Sequence, residues 1–302
     1  VNTLCAAGDR LYLSAYVDGE EVTYTDPTSG ESWSYNETED ALFTIDAQTG
    51  ACTKLPNFTV PGVPEAGDES VDGSVNLSSM LGADDGTLWL QVDIYATKYD
   101  LPEDFDPETM NKWDYPSTDM SSSLLLHLDT DGSTLMSLDA STLDAETDDA
   151  SQDSSYGPTL NSFTIDGAGN LYLSDGNHVH VLDKDGNALF QLDASEYGGS
   201  MTRLSGTQVG VIWYNYNYSD TDAGSSDENG EFFIPVDLET KAWGEKIKLP
   251  MQAWQFYPGD DAYDCYYNYN GNIYGYSFET GAQDKLVDWI ACDVNSNDLY
   301  SY

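Results

Sequence analysis

The chain has 302 residues, of which 54 are Asp or Glu and only 10 are Lys or Arg, giving a formal net charge of −44. With no basic stripe to release counterions, nucleic acid is excluded as a partner, and an anionic membrane surface is excluded for the same reason. Hydrophobic residues still make up 40% of the chain and aromatics 13%, enough apolar surface for a folded protein rather than a disordered one.

No apolar run approaches the roughly 18 residues of a membrane helix, so direct membrane insertion is not expected. The longest runs, 124–126 and 209–213, are strand-sized. Val1 to Cys5 carries neither a basic nor an apolar leader region and reads as the start of a mature or excised piece. Acidity with so few lysines suits a protein outside the cell or at its surface, or one adapted to high salt. Cys5, Cys52, Cys265 and Cys292 show no CxxC spacing and have no neighbouring His, which argues against zinc. Two disulfides of three possible connectivities, or buried thiols, are the alternatives.

In chain order one pattern recurs: a short strand ending in Leu-aromatic, a second strand closing on Asp, a turn, and a third strand. The first copy runs through Arg10-Leu11-Tyr12-Leu13-Ser14, Leu42-Phe43-Thr44-Ile45-Asp46 and the turn Gln48-Thr49-Gly50. The second has Thr87-Leu88-Trp89-Leu90, Leu125 to Asp129 and Thr130-Asp131-Gly132. The third has Asn170 to Ser174, His180 to Asp183 and Lys184-Asp185-Gly186-Asn187. A fourth uses Val211-Ile212-Trp213 and Phe232 to Asp237, and a fifth Tyr274 to Ser277 with Glu279-Thr280-Gly281. The tail, Trp289 to Tyr302, repeats the opening of the first copy.

Period-2 alternation, frequent turn residues and the absence of a 3.6-residue period make the chain all-β. A unit of about 40 residues with three or four short strands is the size of a β-propeller blade. The expected architecture is a single propeller domain over 1–302, with antiparallel four-stranded blades at about 1–58, 74–140, 158–197, 200–250 and 252–288. Residues 289–302 open a sixth blade, so the chain is expected to be part of a longer protein with a further domain, or to close by an unusual pairing.

The stretch from Asp166 to Asn187 resembles an NHL-type blade, and Leu42 to Gly50, with its Ile-Asp-x-x-Thr-Gly ending, is similar to the PQQ-type propeller repeat. Both resemblances imply the fold and no activity. Asp288-Trp289-Ile290-Ala291-Cys292-Asp293-Val294-Asn295 resembles the propeller region that precedes the solute-binding domain in large surface lipoproteins of gut Gram-positive bacteria. That resemblance implies a bacterial, extracellular setting connected with carbohydrate uptake.

Three long insertions, 19–40, 98–121 and 217–230, interrupt the central strand pairs of blades one, two and four, and long connectors span 59–73 and 139–157. Loops at these places emerge on one face of a propeller, the usual binding side of a repeat fold. They carry aromatics: Tyr24, Trp33 and Tyr35 in the first, Tyr99, Phe105, Trp113 and Tyr115 in the second, and Tyr214, Tyr216 and Tyr218 leading into the third. Rings beside Asp and Asn suit sugars, which stack on aromatics and hydrogen-bond through hydroxyls. Tyr24, Trp33, Tyr35, Tyr99, Trp113, Tyr115 and Tyr216 are therefore the candidate ligand-binding residues for a glycan or peptide. The competing reading is that these aromatics only pin long loops to the blades.

No GxSxG, HExxH or P-loop motif occurs, so a non-catalytic module is expected, with a structural or protein-docking propeller as the alternative and a propeller-type glycosidase less favoured. His178 and His180 share one face of a strand, as a structural pair or a metal pair. Asp183 to Asn187 and Asp293 to Asn297 mimic the opening of a calcium loop but lack its closing Glu. No cofactor is expected; calcium is the one cation that the clustered carboxylates would favour.

Overall fold

The computed structural model describes residues 3–25, 29–46, 49–63, 70–107, 109–143, 160–198, 201–205, 208–215, 230–250, 255–260 and 262–287. The chain divides into two compact units, Val1–Thr159 and Leu160–Tyr302. Helix among the described residues is confined to 3₁₀ turns at Lys112–Asp114 and Ala140–Thr142. Everything else regular is antiparallel β.

The first unit holds two sheets. Blade one is β1 (Thr3–Ala7), β2 (Arg10–Thr25), β3 (Ser32–Ile45) and β4 (Cys52–Lys54), paired in that order. Blade two is β5 (Val71–Gly82), β6 (Leu88–Tyr99), β8 (Ser122–Leu128) and β9 (Thr134–Asp139), with β7 (Ser117–Asp119) pairing onto the far end of β6.

The second unit holds three sheets. Blade three is β10 (Ser162–Ile165), β11 (Leu171–Ser174), β12 (His178–Leu182) and β13 (Ala188–Asp193). Blade four is β14 (Met201–Ser205), β15 (Gln208–Asn215), β16 (Gly230–Asp237) and β17 (Ala242–Trp243), with β18 (Ile247–Lys248) also on β16. Blade five is β19 (Gln255–Pro258), β20 (Cys265–Tyr269), β21 (Asn272–Tyr276) and β22 (Gln283–Val287). These are five blades of the β-propeller fold.

Burial explains the repeat. In blade three Leu171, Tyr172 and Leu173 are all within 1% of fully buried, so consecutive residues that point to opposite faces are both covered. The fourth strands are open by contrast: β4 and β22 are exposed along their whole length. They carry Lys54, Asp284 and Lys285, charges that blunt an edge against further pairing. In the first unit Leu42 packs with Leu77, Leu88, Leu90, Leu126 and Leu128 in one cluster. Each such leucine contributes about 1.5–3 kcal/mol by leaving water. Tyr12 is buried there because its hydroxyl donates to the Gly86 carbonyl at 2.8 Å. In the second unit one cluster joins Val179, Val181, Val209 and Val211, and another joins Phe233, Leu249, Cys265 and Tyr267.

The turns follow a shared hydrogen-bond grammar. At Asp129, Asp166 and Asp183 the carbonyl accepts from the glycine three positions on, and the N–H donates to the residue after that glycine, at 2.8–3.1 Å. The side chain closes the same turn: Asp183 Oδ1 accepts from the N–H of Asp185 and of Asn187 at 2.9 and 2.8 Å. Gly186 has φ +83°, the left-handed residue that ends such a turn. Asp183 to Asn187 is thus a hairpin turn whose carboxylate faces N–H donors; Asp293 to Asn297 lies outside the described residues. The Thr-Gly turns are one residue longer, with Gly50 and Gly281 bonding back to Asp46 and Ser277 at 2.8 Å.

The insertions differ from loops. Strands β2 and β3 stay paired out to Thr25 and Ser32, so most of 19–40 is a hairpin that prolongs the central strands. Strand β6 likewise continues to Tyr99, and β7 returns against it. Strand β5 begins at Val71, ahead of the expected start at 74, because Val71 pairs with Lys98 on the lengthened β6. Of 217–230 only Gly230 is among the described residues, and the tail 289–302 lies outside them. Cys5, Cys52 and Cys265 are thiols rather than disulfide partners. Burial pushes Cys5 up to about 11 and Cys265 up to about 12, which keeps both unreactive. Cys292 is outside the described residues.

Where β5 ends, Gly82 lies so close to β1 that a Cβ there would overlap the Ala6 carbonyl and press on the Ala7 side chain. Gly82→Ala is expected to destabilise by about 3 kcal/mol, and Gly186→Ala by about 1–2 kcal/mol from its left-handed backbone alone. Urea unfolding midpoints of the two variants would check the ranking.

Candidate functional site

The hairpin that prolongs blade one has two chemically distinct faces. Val22 pairs with Tyr35 and Tyr24 with Trp33, so these four side chains share one face. Thr23 with Ser34 and Thr25 with Ser32 share the other, each pair joined by a hydroxyl hydrogen bond of 2.7 Å. A bulge between Asp18 and Glu21 separates this ribbon from the buried part of the strands. The Tyr24 and Trp33 rings lie 4.6 Å apart at 46°.

The insertion of blade two brings a second set of rings. Asn111 caps its 3₁₀ turn, its Oδ1 accepting from the Trp113 N–H at 3.1 Å. Lys112 forms an ion pair with Asp72 of β5 and lies 5.8 Å over the Tyr99 ring. Burial and the Asp72 carboxylate push the Tyr99 hydroxyl up, against the opposing pull of Lys112. Tyr115 turns inward to its own insertion, edge-on to Phe105 at 5.9 Å, with its hydroxyl 3.6 Å from Met110 Sδ.

The two insertions meet. Tyr24 of blade one lies 5.9 Å from Trp113 of blade two, so it sits beside both tryptophans. Trp33 is 47% exposed, Trp113 54% and Tyr35 49%. The structure therefore groups Tyr24, Trp33 and Trp113, places Tyr35 on the same hairpin face, and sets Tyr99 next to Trp113 through Lys112. It sends Tyr115 elsewhere, and Tyr216 lies outside the described residues. Sequence reasoning missed Lys112 and Asp72, which supply a cation and a carboxylate beside the rings. Lys112 stood out only as one of ten bases in an acidic chain.

A different cluster occupies the second unit. Asp175 accepts from the N–H of Asn177 and His178 at 2.7 and 2.6 Å. Its Oδ2 lies 3.3 Å from His180 Nε2 and 3.4 Å from His178 Nδ1. Burial alone would raise this carboxyl, but the bonds from His180, His178 and Asn177 outweigh it and hold the group well below the usual range. Both imidazoles thus share one carboxylate. Among the described residues no group of three or more His, Cys, Asp or Glu is arranged to hold a metal ion. At the turn end of blade one, Asp9, Arg10, Asp46 and Thr53 help line a cavity of about 570 Å³; its rim is polar and carries none of the exposed aromatics.

No protein-family model matches the chain, and no curated protein matches it. Among solved structures it is similar to a protein of unknown function from Bacteroides caccae, at 12% identity and a TM-score of 0.38, over 90% of this chain and 85% of that one. It is also similar to the extracellular domain of a one component system from B. thetaiotaomicron, at 10% identity and a TM-score of 0.28; the match spans 95% of this chain and 55% of that one. No helix among the described residues is long and apolar enough to cross a membrane. The stretch 288–295, which carries the resemblance to surface lipoproteins, lies outside the described residues.

Because the folded pKa of Asp175 is depressed, its ionisation stabilises the protein above the unfolded value of about 3.9, and this contribution is lost as pH falls through the folded value. Asp175→Asn is expected to cost about 2 kcal/mol at pH 7. The gap in melting temperature from the parent should narrow below about pH 4. Thermal melts of both proteins across pH 2–8 would check it.

Proposed function

We propose that the chain is a non-catalytic carbohydrate-binding module acting outside the cell, with its ligand on the aromatic surface shared by blades one and two. The observation that carries this reading is the convergence of Trp33 and Trp113 on Tyr24 from two separate insertions, with about half of each tryptophan left in solvent. Residues that served only to pin loops would be expected to turn inward, as Tyr115 does. Aromatic faces stack on the apolar faces of sugar rings, and the Lys112–Asp72 pair beside them offers a donor and an acceptor to hydroxyls. The charge of −44 disfavours uronic-acid polymers and leaves neutral glycans as the ligand class.

Titration calorimetry with neutral oligosaccharides is the test. Binding is expected to weaken about tenfold or more in Trp33→Ala and in Trp113→Ala, since an aromatic anchor contributes 1–2 kcal/mol or more. Melting temperature should stay close to the parent's, because both rings are half-exposed. Unchanged affinity in both variants, or no binding of any oligosaccharide, would overturn the proposal.

A further inference from the structure

A second aromatic site lies within the second unit, on elements the glycan surface does not use. Tyr197, from the connector after β13, stands edge-on to Trp213 of β15 at 5.7 Å and 82°, and edge-on to Trp243 of β17 at 5.3 Å and 78°. Edge-on contacts of this kind set ring faces at steep angles, as walls rather than as one stack. Phe232 of β16 backs Trp213 at 5.7 Å. The walls are held in place: the Trp243 indole N–H donates to the Asp193 carbonyl at 2.7 Å, and the Tyr197 N–H donates to the Ala194 carbonyl at 3.0 Å. Tyr197, Trp213 and Trp243 pack against the valine core while remaining partly open to solvent.

A cation already lies against two of these three rings. The ammonium of Lys246, an exposed residue between β17 and β18, lies 4.0 Å from the centroid of Trp213 and 5.9 Å from that of Tyr197. The placement is informative because carboxylates outnumber bases 54 to 10 in the chain. Among the described residues Lys246 forms no ion pair, and its charge rests on aromatic faces instead.

We propose that Tyr197, Trp213 and Trp243 form a binding site for an organic ammonium group, quaternary by preference, and that Lys246 fills it as an internal competitor in the unliganded protein. A primary ammonium is strongly hydrated and gains little from a ring face in water. A methylated ammonium sheds water more readily and fits against several faces at once, which is how aromatic enclosures recognise choline-like groups. The negative field of the protein raises the local concentration of any such cation, and added salt weakens that contribution.

Choline is the probe, and its uncharged isostere 3,3-dimethyl-1-butanol is the control, each titrated into the full chain with indole N–H signals followed by NMR. Choline is expected to shift the signals of Trp213 and Trp243, and the isostere to leave them in place. In Lys246→Ala the internal competitor is gone, so choline affinity should rise about fivefold. Lys246 is exposed, so this variant should fold as the parent does. In Trp243→Leu, which removes one wall, the binding should be lost. Equal affinity of choline for the parent and Lys246→Ala would overturn the proposal. So would equal response to the uncharged isostere, or shifts confined to Trp33 and Trp113. Because the probe and the rings differ from those of the glycan surface, failure here leaves the carbohydrate reading to its own test.

Discussion

The rest of the structure depends on one constraint: the central strands of blades two, three and four bury consecutive residues and so need cover on both faces, which a blade cannot give itself. Leu171, Tyr172 and Leu173 are covered on successive sides, and only packing of sheet on sheet achieves that. In the first unit the leucines of β3, β5, β6 and β8 meet in a single cluster. The second unit repeats the solution twice, with valines between blades three and four and with Phe233 and Tyr267 between four and five. Once the middle strands are committed in this way, growth is confined to the strand ends. At one end the hairpin turns are short and self-bonded. At the other the chain can lengthen without disturbing a buried contact.

Both aromatic sites follow from that freedom. The hairpin of blade one is the central strand pair continued past a bulge that shifts the register by one residue, and the shifted register sets Tyr24 opposite Trp33. The cation site of the second unit arises at the rim of a valine core, where Trp213 lies across from Phe232 in the ladder and Trp243 across from Val236. In each case ladder pairing sets two of the rings before any ligand arrives, which lowers the entropy lost on binding.

Much of the fold was legible because it is written in short-range chemistry. Leu-aromatic pairs mark strands, and Asp-x-x-Gly marks a turn whose hydrogen bonds are all local. The extended hairpins were not legible as strands. The described residues of 19–40 have no buried face, and the strands there stay paired through cross-strand partners such as Thr23 and Ser34, which a burial pattern does not reveal. The candidate residues were named from their place in the insertions and their aromatic character. That Tyr24 would reach Trp113 while Tyr115 would turn to Phe105 depends on how two blades pack, information that no single stretch contains. Lys112 with Asp72 and Lys246 with Trp213 escaped for the same reason.

The hairpin turns also shape how this acidic protein sheds its charge. Asp183 is held below its ordinary pKa by the side chain and N–H of Asn187, Asp131 by the N–H and hydroxyl of Ser133, and Asp237 by Thr240. Asp40, desolvated on a central strand, lies above the ordinary range. Among these carboxyls acidification therefore follows their surroundings: Asp40 gives way before the three turn carboxyls. The turns that close these blades therefore keep their charges further into acid than the central strand keeps that of Asp40.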